Sequence, residues 1–205
     1  MAQMAPVRHP VFNAVRPGPV EKDALTIQAA GKPAVTVGIT PTCLYGLAGC
    51  WGGAKGALRR LTGVGTVLEE ANAYSSTATV FLAEDSLPDL DVWRREFAQI
   101  ANASYTLRGI ELTLSGAVEQ TNGLLSLVGN ASRPSVMLAP LEASNKVQWN
   151  FATKTNWPLE PDEQIAYAKL KQRLSEPAPP DPVTVTGSLL KNENGFYLEV
   201  RTFTA

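Results

Sequence analysis

The sequence predicts an α+β protein in which a β-α-β-β-α-β unit is followed by a mainly β region. Three observations carry this expectation. In the first half, short β-branched runs alternate apolar and small or polar residues, and two segments between them place apolar residues at three-and-four spacing. Two later hairpin patterns echo each other, TLSGAVEQTNGLLSLV at 113–128 and TVTGSLLKNENGFYLEV at 184–200, each with an Asn-Gly tip. With 205 residues, 44% of them hydrophobic, the chain holds more apolar material than one small sheet-and-helix layer requires, which favours two units.

Residues 34–40, AVTVGIT, read as a strand bracketed by Pro33 and Pro41. After the Gly-rich loop PTCLYGLAGCWGG, residues 54–61 set Ala54, Ala57, Leu58 and Leu61 on one helix face and Lys55, Arg59 and Arg60 toward solvent. Thr62-Gly63 ends that helix. Residues 64–73 and 77–83 read as a strand pair turning at 72–76. Pro88-Asp89 opens a second helix whose buried stripe is Leu90, Trp93, Phe97, Ile100 and Ala101. A strand from Gly109 to Glu119 completes the order βαββαβ, the split arrangement of ferredoxin-like folds.

The later part reads as mainly β, with a hairpin turning at Asn122-Gly123 and short strands at 135–141 and 146–149. Residues 161–174 form a helix with Asp162 and Glu163 in its first turn, PAPPDP at 177–182 is a stiff connector, and a hairpin around Asn194-Gly195 closes the chain. Two such hairpins with a helix between them are the ingredients of a small OB-like barrel, an analogy at the level of the fold. The expected organisation is an extended N-terminal arm at 1–32, a ferredoxin-like domain at 33–116 and a mainly β domain at 117–205 with one inserted helix.

Eighteen basic and 19 acidic residues give a net charge of -1, which leaves no electrostatic footprint for a nucleic-acid backbone or an anionic lipid surface. Neither nucleic acid nor membrane insertion is expected, since no apolar run approaches the roughly 20 residues that span a bilayer. The expected partner is an unidentified protein or small ligand. The chain reads as soluble, either cytoplasmic or exported after loss of a leader. The one histidine, His9, lies in the arm, so chemistry that needs several imidazoles is excluded within the chain.

The two cysteines, Cys43 and Cys50, share one loop. In an oxidising compartment they read as a disulfide and in a reducing one as two inert thiols. Cys50 is followed by Ala57-Leu58, Leu61 and Gly63-Val64, and Ala78-Thr79-Val80 comes later. In this pattern the stretch from Ala34 to about Leu114 resembles the heavy-metal-associated domain family of copper chaperones and metal-pump sensors. The resemblance implies a ferredoxin-like fold and a soft-metal site at the mouth of the first helix. Only Cys50 matches a ligand of that family, because Leu47 stands where the second thiolate belongs. Cys43 is the one substitute available, and copper is the cofactor this alternative implies.

Other candidates are aromatic. Tyr45 and Trp51 sit among Gly46, Gly49, Gly52 and Gly53 and offer ring surface on a turning backbone, either for a ligand or as a cap on the core. Trp149 and Trp157 flank NFATKTN and suit either a pocket wall or internal packing. Glu69 and Glu70 point to opposite faces of a strand, while Glu84, Asp85, Asp89 and Asp91 flank a helix start where capping accounts for them. No nucleophile, base and orienting group assemble in the sequence, and no resident cofactor is implied by the residues themselves. The reading is a non-catalytic binding or interaction module. A soft-metal carrier or sensor using Cys50 and Cys43 is the first alternative, and an enzyme of unfamiliar type, gathering carboxylates with Tyr45 or Tyr105, is the second.

Overall fold

The structure is a computed structural model that describes residues 34–176 and 182–204. The arm at 1–32 and most of the PAPPDP connector lie outside the described residues. Strand β1 (Ala34–Pro41) leads through a helical turn, α1 (Gly46–Gly49), into helix α2 (Trp51–Leu58). Strands β2 (Val64–Val67) and β3 (Thr77–Leu82), helix α3 (Leu90–Ile100) and strand β4 (Tyr105–Gly116) follow. Strands β5 (Val118–Thr121), β6 (Leu124–Leu127) and β7 (Val136–Pro140) precede a small hairpin, β8 (Trp149–Asn150) and β9 (Thr155–Asn156). Helix α4 (Pro161–Leu174) and the long hairpin β10 (Val183–Asn192) and β11 (Gly195–Thr204) complete the chain.

The expected fold class is corrected here. Instead of a ferredoxin-like domain followed by an OB-like barrel, nine strands form one mixed sheet in the order β2-β3-β1-β4-β10-β11-β7-β6-β5. The reason lies in β4, which is 12 residues long and has two edges to satisfy. One edge pairs with β1 from Val35 opposite Leu112 to Pro41 opposite Tyr105, and the other pairs with β10 from Val183 opposite Gly116 to Ser188 opposite Glu111. The second edge therefore never becomes the rim of a separate domain, since unpaired strand edges are strongly disfavoured. The two look-alike hairpins do not close on each other. The β10–β11 hairpin lies mid-sheet, whereas β5–β6 forms the far rim, joined through β7, which pairs in parallel with β11.

Alternation places one face of the sheet in the core. Val35, Val37 and Ile39 of β1 are fully buried, as are Ile110, Leu112 and Leu114 of β4 and Val183, Val185 and Leu189 of β10. Helix α3 covers part of this layer with Leu90, Trp93 and Phe97, and its start is capped by Asp89, whose carboxylate accepts from the Asp91 and Val92 amides. Lys191 of β10 bonds the same carboxylate, and together these donors hold the Asp89 carboxyl below its ordinary pKa. No helix among the described residues is long and apolar enough to cross a membrane.

The opposite face is spanned by the segment at 141–150, which runs from the end of β7 across successive strands. The Glu142 amide and the Asn145 side chain donate to Glu199 of β11 at 3.0 and 2.8 Å. The Asn145 carbonyl accepts from Ser188 of β10 at 2.7 Å, Gln148 reaches Glu111 of β4, and the Trp149 amide donates to the Ser75 carbonyl at 2.9 Å. Val147 fits between because Gly38 and Gly109, directly paired on β1 and β4, offer no side chains at the crossing. Gly187 is tighter still, since a Cβ there would stand 2.1 Å from the Glu199 carbonyl oxygen of β11.

Gly38→Ala, whose Cβ would meet Val147 Cγ1 and its carbonyl oxygen at 3.0 Å, is expected to destabilise by about 1–3 kcal/mol in urea unfolding. Gly187→Ala is expected to lose more than Gly38→Ala, because its Cβ would stand 2.1 Å from a backbone oxygen of β11 rather than 3.0 Å from its neighbours. A Gly38→Ala variant as stable as the wild type would contradict the crossing geometry.

Candidate functional site

The loop after β1 is fastened at its root and bare at its tip. Thr42 is tied to the Ser104 carbonyl through both its amide and its hydroxyl, at 3.1 and 3.0 Å. Cys43 and Cys50 then form a disulfide across seven positions. Leu47 turns inward and is buried in the core. The Tyr105 hydroxyl donates to the Cys50 carbonyl at 2.5 Å, and it passes there only because Gly53 has no Cβ, which would stand 2.8 Å from that oxygen. The Trp51 indole N–H donates to the Glu69 carbonyl at 2.6 Å. The side chain of Glu69 accepts from Lys55 and lies near Arg59, and Lys55 above all holds its carboxyl below the ordinary range.

Against this frame Leu44 and Tyr45 are 89% and 85% exposed. Gly46, at φ +71°, turns the backbone in the left-handed region that glycine tolerates, and the ring of Phe151 lies 3.6 Å from where its Cβ would be. Phe151 belongs to the loop of the small β8–β9 hairpin. Its ring meets Trp149 edge-on with centroids 6.2 Å apart, and the Lys154 ammonium sits 3.3 Å from its centroid. The tip of the disulfide loop thus exposes Leu44 and Tyr45, and the β8–β9 loop approaches it at Gly46 through Phe151.

The expected site residues divide on this geometry. Tyr45 is presented to solvent, while Trp51 is half-buried and committed to Glu69. Trp149 is buried beneath the Arg108 guanidinium, 5.0 Å from ring centroid to Cζ, and Trp157 stacks on Tyr74 at 4.9 Å. The loop that carries Tyr45 meets the Trp149 hairpin at Gly46 through Phe151, and Trp157 lies on a separate stack with Tyr74. Leu44, Phe151 and Lys154 were missed; the signal for Leu44 was its place between a cysteine and a tyrosine in a short loop. In the disulfide both sulfurs are bonded to each other, so a soft metal would find a thiolate on Cys43 or Cys50 only after reduction. Among the described residues no group of three or more His, Cys, Asp or Glu is placed to hold a metal ion.

The face under the crossing segment holds buried charge. Arg201 grips Glu111 with Nε and Nη2 at 2.6 and 3.0 Å, and Lys146 reaches Glu163 at 2.6 Å, with Arg201 Nη1 3.4 Å from the other oxygen of Glu163. These two cations and two carboxylates balance. Two further groups stand outside the quartet. Arg108 donates to Thr40 Oγ1 and to the Ser76 and Val147 carbonyls, and burial lowers its pKa to about 10. Glu199 is raised above its ordinary 4.5 chiefly by burial, against the opposing hydrogen bonds from the Glu142 amide and Asn145. Comparison with protein-family models, curated proteins and solved structures finds no match.

Because the folded chain holds the Glu199 proton more tightly than the unfolded chain, its favourable contribution is complete below pH 4.5 and is lost as pH rises through the folded-state pKa. The stability of the wild type relative to Glu199→Gln is therefore expected to decline as pH climbs from 4.5 toward neutrality. Thermal unfolding of both proteins across that window measures it, and parallel curves would rule the linkage out.

Proposed function

We propose that this protein is a non-catalytic interaction module that seats an apolar partner surface on the loop closed by Cys43 and Cys50. The observation that supports this reading is the contrast within the loop, where Leu47 is buried while Leu44 and Tyr45 are almost wholly exposed. Single exposed apolar side chains are ordinary on protein surfaces, but two adjacent ones at the tip of one braced loop form a local apolar patch. Tyrosine supplies large contact area with few rotatable bonds, which is why it recurs among the residues that carry binding energy. The disulfide and the Tyr105 and Trp51 hydrogen bonds hold the loop root before a partner arrives, so less ordering is left to complete on association.

A random-peptide display library panned against the full chain tests the reading. Enriched peptides are expected to carry apolar anchors and to bind the double variant Leu44→Ser/Tyr45→Ser at least about tenfold more weakly, a loss of about 1.4 kcal/mol. The variant is expected to unfold at the wild-type temperature, since neither side chain is buried. Peptides that bind both proteins equally, or no enrichment over an uncoated surface, would overturn the proposal. Opening the loop with Cys43→Ser/Cys50→Ser is expected to weaken the same peptides by about 0.5–1.5 kcal/mol for each side chain newly ordered on binding. Unchanged affinity would show that the closed loop contributes no preorganisation.

A further inference from the structure

The disulfide at the mouth of α2 closes a short ring. Cys43 and Cys50 are seven positions apart, and both lie in the segment that joins β1 to α2. A cross-link over so short a span restricts the unfolded chain less than one that joins distant segments. The residues around it are also held without it. Before the ring, Thr42 is bonded to the Ser104 carbonyl through its amide and its hydroxyl. Within the ring, Leu47 is buried in the core. At its far end the Cys50 carbonyl accepts from the Tyr105 hydroxyl, and the Trp51 indole N–H donates to the Glu69 carbonyl. None of these contacts passes through sulfur. Breaking the S–S bond therefore frees the turn that carries Leu44 and Tyr45 and leaves the rest of the fold its anchors.

The two cysteines are half-buried rather than sealed in the core, and they differ in setting. Cys50 is the N-cap of α2, an eight-residue helix with no side-chain cap and no acidic residue in its first turn. A thiolate released there meets unsatisfied amides and the positive end of the helix dipole. Cys43 lies outside both α1 and α2 and caps neither. The α2 terminus decides only which sulfur leaves, since the thiol of lower pKa is the better leaving group. Reversible opening follows from the anchors, which make the ring dispensable to the fold.

We propose that the Cys43–Cys50 disulfide is a reversible redox centre that exchanges with a glutathione-class thiol, Cys43 being the sulfur attacked and Cys50 the thiolate released. The incoming thiolate bonds to Cys43 Sγ as the Cys43–Cys50 bond breaks, and the electron pair of that bond leaves on Cys50 Sγ. A second thiolate attacks the sulfur of the first, so Cys43 departs as a thiolate and the two small thiols leave as their disulfide. The protein gains the two electrons that the thiols lose, and the two protons given up by the thiols pass to the cysteines or to water. The reverse sequence closes the ring again. The centre acts on the loop proposed above as an interaction surface but needs no partner there, so its failure would leave that reading standing.

The test equilibrates the full chain in buffers of graded glutathione to glutathione disulfide ratio, quenches with acid, alkylates free thiols and weighs the intact protein. Structural disulfides resist the glutathione pool, whereas this one is expected to pass through half-reduction within the range that millimolar glutathione reaches. The ¹H–¹⁵N NMR spectrum of the reduced protein is expected to change only at 42–53 and at the residues that touch them, with the sheet resonances in place. The single variants Cys43→Ser and Cys50→Ser assign the leaving sulfur. The pH midpoint for alkylation by iodoacetamide is expected to lie at least about one unit lower for Cys50 than for Cys43. A disulfide still fully oxidised in the most reducing glutathione buffer, spectral loss across the sheet on reduction, or a Cys43 midpoint at or below that of Cys50 would overturn the inference.

Discussion

The structure depends on one crossing. A nine-stranded sheet buries its inward face by alternation alone, but its other face needs a cover that meets the polar groups presented there. The segment at 141–150 provides that cover with its backbone and side chains together. Its donors meet Glu199 and Glu111, its carbonyls meet Ser188 and Arg108, and its end is pinned to Ser75. The spacing of these contacts follows the strands beneath, so the segment has one register across the sheet.

The buried quartet of Glu111, Arg201, Glu163 and Lys146 sets that register more than it sets stability. Removing water from four charges is costly, and their mutual attraction in a low-dielectric setting returns about as much as it costs. An apolar replacement of the whole set would pack as well, but it would accept several placements of α4 and of the crossing segment. The charged set accepts one, because any slip leaves a carboxylate or an ammonium buried without its partner. Glu163 also accepts from the Glu160 amide at the start of α4, so the helix terminus and the quartet are fixed by the same carboxylate.

What was legible in the sequence was local. The stripe of Leu90, Trp93 and Phe97, the Asp89 cap, and the Asn-Gly turns with positive φ at Asn122, Gly123 and Gly195 are short-range patterns, and each forms where its residues predict. The architecture was not legible, because nothing near β4 in sequence announces that its second edge is claimed by a strand some 70 positions later. The similarity of the two hairpins misled for a related reason: alternation and turn chemistry specify a hairpin, not the strand it lies beside. At the site, Cys43, Cys50 and Tyr45 stood out in one short loop, whereas Phe151 reaches that loop only through the crossing.

The crossing segment constrains how the proposed loop surface can behave. Trp149 stands near its end, and Phe151 just beyond carries it to the disulfide loop at Gly46. A segment held by hydrogen bonds to three strands and the loop at Ser75 has little freedom to shift by fractions of a register, since every slip would break several contacts at once. The crossing therefore acts as a rigid bar. Binding at the loop is expected to proceed on a preformed surface, with ordering confined to side chains such as Leu44 and Tyr45 that the fold leaves unpacked. The glycines at 38 and 109 make this rigidity possible, because they let the bar lie directly on the sheet rather than on a layer of adjustable side chains.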